Sequence, residues 1–152
     1  MVDTEIVMLE IALENGVTGL GAANPFEDVV GETPQQTFEL LQTGYLDNFI
    51  GKDIEDFLDL ITQATAHFEH KPGALAAIDI ALHDLYCKYK GISVLDFYGK
   101  CMQALPTSIT IGIKPLAEML EEARGYEQLG FKILKIKTGL NVDEDIERVA
   151  KL

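Results

Sequence analysis

The chain has 152 residues, about one ordinary domain in length, with 12 Lys+Arg against 25 Asp+Glu and a net charge of −13. A composition that is 47% apolar and 24% charged is globular rather than disordered, and carboxylates in such excess repel phosphate backbones and anionic headgroups, so no nucleic-acid or membrane partner is expected. Two cysteines, Cys87 and Cys101, are too few for a disulfide framework and lack CxxC spacing; with no basic leader in residues 1–5 and no long apolar run, they imply reduced thiols in a cytoplasmic protein.

In chain order, Val7, Leu9, Ile11 and Leu13 alternate with Met8, Glu10, Ala12 and Glu14, and Asn15-Gly16 offers the positive φ angles of a type I′ turn, which predicts a β-hairpin over residues 5–23. A lone hairpin is marginal, so a third strand or helices must cover its apolar face. Thr33-Pro34-Gln35-Gln36 is a helix start with a hydroxyl N-cap, proline at the first helical position and glutamine at the third. A second helix from near Asp53 carries the stripe Ile54, Phe57, Leu58, Ile61, Ala64 and Phe68. Pro72-Gly73 introduces a third, over residues 74–90 and closed by Gly91; it is apolar around most of its circumference and therefore central. A short helical turn follows over residues 94–98. Past a connector at 100–106 the pattern changes: a β-branched strand at 107–113, an amphipathic helix at 115–129 closed by Gly130, a strand at 131–137, and a helix capped by Asn141. Such a β-α-β-α run belongs to parallel α/β architecture.

The strand at 131–137 holds the most informative chemistry. Side chains alternate along a strand, so Lys135 and Lys137 share a face with Phe131 and Ile133, while Leu134 and Ile136 face the helices. The lysines lie at the strand's C-terminal end, where α/β barrels place their active sites. Two readings fit the local pattern: neighbouring ammonium groups that disfavour each other's charge, bringing one lysine towards the range of a general base, or two solvated heads at a strand terminus. Thr110, in the preceding strand, is placed either to meet a ligand or simply to suit a strand. His67 and His70 form an HxxH near a helix end, where packing and dipole contacts outweigh metal binding. Asp79, His83 and Asp84 on the central helix read as hydrogen-bonding groups. Gly16-Val17-Thr18-Gly19-Leu20-Gly21 lacks the strand-then-helix context of a phosphate loop.

The segments "ENGVTGLG", "ALAAIDIALHDLYCKYKGISVLDFYG", "TSITIGI" and "KIKTG" together resemble the N-terminal part of the enolase superfamily, muconate-lactonizing branch, closest to the dipeptide epimerases typified by L-Ala-D/L-Glu epimerase. The resemblance implies an α+β capping domain (β-hairpin plus helices) over residues 1–104, its first strand missing, followed over 105–152 by the first β-α-β-α units of a (β/α) TIM-like barrel, truncated. It implies α-proton abstraction from a dipeptide such as L-Ala-L-Glu, with Lys137 as a base, Lys135 as the neighbour that lowers its pKa and contacts the substrate carboxylate, and Thr110 as a further substrate contact. The family's enediolate is stabilised on Mg²⁺, whose carboxylate ligands, like the second catalytic lysine, belong to later strands, so no metal ligand is assigned here. The chain alone is then expected to be inactive, and prone to self-association through open strands bearing Ile109, Ile111, Ile113 and Ile133. Ala22, where the family usually has a glutamate, and Cys87, where it has a small residue, depart from the pattern. A cycloisomerase or o-succinylbenzoate synthase parent, and a non-enzymatic capping or interaction module, remain as alternative readings.

Overall fold

A computed structural model describes residues 4–152, which separate into two compact units: one ending at Lys100 and one over residues 101–152. In the first, β1 (Val7–Ala12) pairs antiparallel with β2 (Thr18–Ala23), and Ala12 lies opposite Thr18. The turn is not type I′. Gly16 has a φ of 85° while Asn15 does not enter the positive region, Gly16 N–H donates to the Leu13 carbonyl, and Leu13 N–H donates to the Val17 carbonyl, both at 2.9 Å. That is a three-residue loop, a type I turn closed by a left-handed glycine. Asn15 contributes its side chain instead, with Oδ1 accepting from the Val17 amide at 3.1 Å.

Two short elements follow, α1 (Glu27–Val30) and α2 (Pro34–Leu41), the latter with the predicted Thr33/Gln36 capping box. Two 3₁₀ turns, Tyr45–Phe49 and Ile54–Asp56, lead into α3 (Phe57–His67); then come α4 (Pro72–Lys90), closed by Gly91 in the left-handed conformation, and α5 (Val94–Tyr98), capped by Ser93. The hairpin's missing cover is α4, which buries Ala74, Ile78, Leu82 and Leu85 with Phe57, Leu60, Ala64 and Phe68 of α3, against Leu9, Ile11 and Val17 of the hairpin.

Helix and strand meet unusually closely because β2 has no side chains on its inner face at Gly19 and Gly21. A Cβ on Gly21 would collide with the Ala77 carbonyl and come within 2.8 Å of the Ala81 nitrogen; one on Gly19 would lie 2.6 Å from the Leu85 nitrogen. These glycines therefore serve helix–strand packing. Their neighbour Leu20 donates its amide to Asp84 of α4 at 2.8 Å, giving a partner to an N–H on the edge away from β1.

The N-terminus of α4 is closed from a distance. Fully buried Glu32 accepts from the Gly73 amide at 2.8 Å, from the Ala74 amide at 3.2 Å and from the Thr37 hydroxyl. A carboxylate there meets unsatisfied helical amides and the positive end of the helix dipole. No sequence periodicity points to Glu32, because its partners lie 41 and 42 residues away.

The second unit contains β3 (Ile109–Ile111), α6 (Leu116–Gln128), β4 (Leu134–Ile136) and α7 (Val142–Lys151). β3 and β4 are parallel, and each is three residues long rather than the seven expected, since only their centres complete the two-strand ladder. Ile111, Met119 and Ala123 form a small core with Leu134, Ile136 and Leu152. The expectation of an exposed Ile111 is thus overturned, because α6 covers it completely; Ile133 is exposed. Among the described residues no helix is long and apolar enough to cross a membrane.

Candidate functional site

The parallel register sets Thr110 beside Lys135, between the pairs Ile109–Leu134 and Ile111–Ile136. Directly paired residues of adjacent strands share a face about 4.8 Å apart, and the next residue on that face lies about 6.6 Å further along the strand. Thr110, Lys135 and Lys137 therefore fall together at one end of the sheet, opposite the face that Ile111, Leu134 and Ile136 bury under α6. All three side chains are exposed. Among the described residues no carboxylate pairs with either lysine, in contrast to Lys114, whose Nζ donates to Glu122 at 2.8 Å.

The backbone beneath Lys137 is well defined. Its amide donates to the Ile111 carbonyl at 3.0 Å, which extends the ladder one residue past β4. Two residues on, Gly139 has a φ of 126° and donates its amide to Asp145 of α7 at 2.7 Å. The α7 N-terminus is closed by Asn141, whose Oδ1 accepts from the Asp143 and Glu144 amides, the cap expected from the sequence.

The weaker candidates settle into structural roles. His67 stacks on Tyr45 with ring centroids 4.0 Å apart, and burial pushes the Tyr45 phenol above its usual pKa. His70 is exposed, with a positive φ of 64°, just before Pro72 starts α4. His83 is held between Asp79, 2.9 Å from its Nδ1, and the hydroxyl of Tyr98, tying α5 to α4. Asp84 accepts from Leu20 and from Lys88; desolvation opposes its ionisation, but these two hydrogen bonds leave its pKa below the usual aspartate value. Burial, with Asp84 and Asp96 nearby, raises the Cys87 thiol. A cavity of about 820 Å³ beside β1, lined by Leu9, Ile11, Phe49, Leu82 and the carboxylates of Glu10 and Asp47, contains none of the three residues of the lysine face.

A helix-backed hairpin followed by a parallel β-α-β-α unit with paired lysines at the second strand's end defines a class of two-part α/β proteins. The profile of the mandelate racemase / muconate lactonizing enzyme N-terminal domain matches residues 1–99, and the chain belongs to that family, within the enolase superfamily. It is 48% identical over 151 residues to the L-Lys-D/L-Arg epimerase of Desulforapulum autotrophicum, covering 99% of this chain and 42% of that protein. It is 31% identical over 146 residues to the L-Ala-D/L-Glu epimerase of Clostridium acetobutylicum, covering 96% and 41%. The crystal structure of a dipeptide epimerase from Methylococcus capsulatus, complexed with Mg and the dipeptide L-Arg-D-Lys, superposes with a TM-score of 0.88 at 38% identity, covering 96% of this chain and 41% of that one. The chain thus spans about two fifths of the length of the relatives it matches.

Among the described residues, no group of three or more His, Cys, Asp or Glu side chains is placed to hold a metal ion. Two acidic side chains of the second unit are engaged with their neighbours, Glu122 with Lys114 and Tyr126, and Asp145 with Gly139 and Arg148.

Proposed function

We propose that residues 1–104 are the capping domain, and residues 105–152 the opening of the barrel, of an epimerase that inverts the α-carbon of a dipeptide. The observation that carries this reading is the shared face of Thr110, Lys135 and Lys137 at the C-terminal end of a parallel strand pair. Lys137, unprotonated, takes the α-proton; the C–H electron pair passes into the adjoining carboxylate as an enediolate, and a proton returned to the opposite face completes the inversion. Lys135, one strand pleat away, offers a cation to the substrate carboxylate. Thr110 beside it supplies a hydroxyl to the same ligand. The proton donor for the opposite face is not among these three residues, and the 152-residue chain by itself is expected not to turn over a dipeptide.

Within the dipeptides, the proposed class is cationic rather than the L-Ala-L-Glu expected from the first resemblance. The 48% relative is named for Lys and Arg, and a net charge of −13 draws cations in and repels an acidic dipeptide. The test is α-proton exchange in D₂O, followed by mass spectrometry, with the full-length gene product that contains these residues. L-Lys-L-Arg is expected to exchange faster than L-Ala-L-Glu, and Lys137→Ala to lower the rate by about 10²- to 10⁴-fold. Exchange that survives Lys137→Ala would sink the assignment of the base.

A further inference from the structure

The most enclosed charges of the second unit are not the lysines but Asp145 and Arg148 of α7, each less than one tenth exposed. Asp145 Oδ2 accepts the Gly139 amide at 2.7 Å, and its Oδ1 accepts Arg148 Nη1 at 2.8 Å; Arg148 Nη2 donates in turn to Glu144. On the same helix Val142, Ile146 and Val149, spaced as an apolar stripe, are exposed. An ion pair turned inward costs more desolvation than an apolar pair of the same size, so stability alone does not account for the choice. What the pair does hold is the turn immediately after Lys137. The lysine's own amide is fixed to β3 through Ile111, and Gly139, at a φ of 126°, is fixed to α7 through Asp145.

We propose that Asp145, neutralised by Arg148, is a positioning residue that locks the Thr138-Gly139 turn and so sets the direction in which Lys137 is presented. The proposal rests on the reading of Lys137 as the base. Proton abstraction needs donor and acceptor within hydrogen-bonding reach, and a displacement of about 1 Å at the reacting group lowers turnover by about 100-fold.

Three variants separate positioning from stability. Asp145→Asn keeps an oxygen that can accept from Gly139. Asp145→Leu removes it but leaves the buried guanidinium with Glu144 as its one remaining carboxylate among the described residues, so this variant can simply fail to fold. The double variant D145L/R148M removes the acceptor and the stranded charge together, replacing them with apolar side chains of similar size. Amide hydrogen exchange at Gly139 is read in the 152-residue chain, and kcat and KM in the full-length gene product. In the double variant the urea midpoint is expected to stay near that of the native chain, while Gly139 exchanges faster by about 100-fold and kcat falls by about 100-fold with KM within about threefold. Asp145→Asn is expected to recover kcat to within about tenfold of native. Native-like Gly139 protection in the double variant, or lost protection with unchanged kcat, overturns the proposal. Turnover that survives Lys137→Ala overturns the reading of the base instead; it is distinguished by a Gly139 exchange rate that still responds to Asp145.

Discussion

The two units handle polar groups in opposite ways. Residues 1–100 carry 5 Lys+Arg against 17 Asp+Glu, yet their fully buried carboxylate, Glu32, is bonded only to backbone amides and a hydroxyl, serving the helix it caps. Residues 101–152 are nearly balanced, with 7 Lys+Arg against 8 Asp+Glu; they bury an acid–base pair and leave two lysines and a threonine exposed on one sheet face. The first unit closes helix against hairpin through glycines, whereas the second has a core of three buried side chains beneath strands of three residues each. A unit whose buried carboxylate closes one of its own helices suits a cover. A sheet face with exposed, mutually adjacent cations suits chemistry.

If that division holds, substitutions in the two units should fail in different assays. The largest effect is expected on the lysine face, where Lys137→Ala lowers α-proton exchange by the full-length gene product about 10²- to 10⁴-fold while leaving the urea midpoint of the 152-residue chain unchanged, since the side chain is exposed. Gly21→Ala should do the reverse. Its methyl collides with the Ala77 carbonyl of α4, and a loss of about 3 kcal/mol in urea unfolding is expected, with the Lys137–Ile111 hydrogen bond retained by amide exchange. Glu32→Leu removes the acceptor of two amides and a hydroxyl and should destabilise by about 2 kcal/mol, visible as faster exchange at Gly73 and Ala74.

The smallest effect is a pH dependence. The folded pKa of Asp84 lies below its unfolded value near 3.9, so its contribution is complete above that value and disappears as the pH falls through the folded one. Urea midpoints taken between pH 6 and pH 3 should therefore fall less steeply in Asp84→Asn than in the native chain. An identical slope would mean that its bonds to Leu20 and Lys88 do not link the hairpin to α4 as the distances indicate.

Much of the local structure was legible because its causes lie within a few residues. The Thr33/Gln36 capping box, Gly91 closing α4, Asn141 capping α7 and the period-2 pattern of the first strand each involve partners no more than four positions apart. The turn at Asn15-Gly16 departs from the expected type I′ because that dipeptide serves two loop lengths, and the choice between them rests on whether Asn15 itself enters the positive-φ region. The shared face of Lys135 and Lys137 followed from alternation, and Thr110 joined it only when the register paired Ile109 with Leu134.

By itself, the amino-acid sequence determined the order of the elements, most of their caps, the acidic balance and the strand that bears the lysines, all consequences of short-range sterics and of hydrophobic period. Only the tertiary structure decided that Glu32 closes a helix 41 residues away, that Gly19 and Gly21 admit α4 to the surface of β2, and that Asp145 turns inward to hold Gly139 while the apolar side chains of the same helix turn outward. The physical reason is the same in each case. A buried polar group must find a partner, and a close approach must find space; both are properties of the packed neighbourhood, which no window along the chain contains.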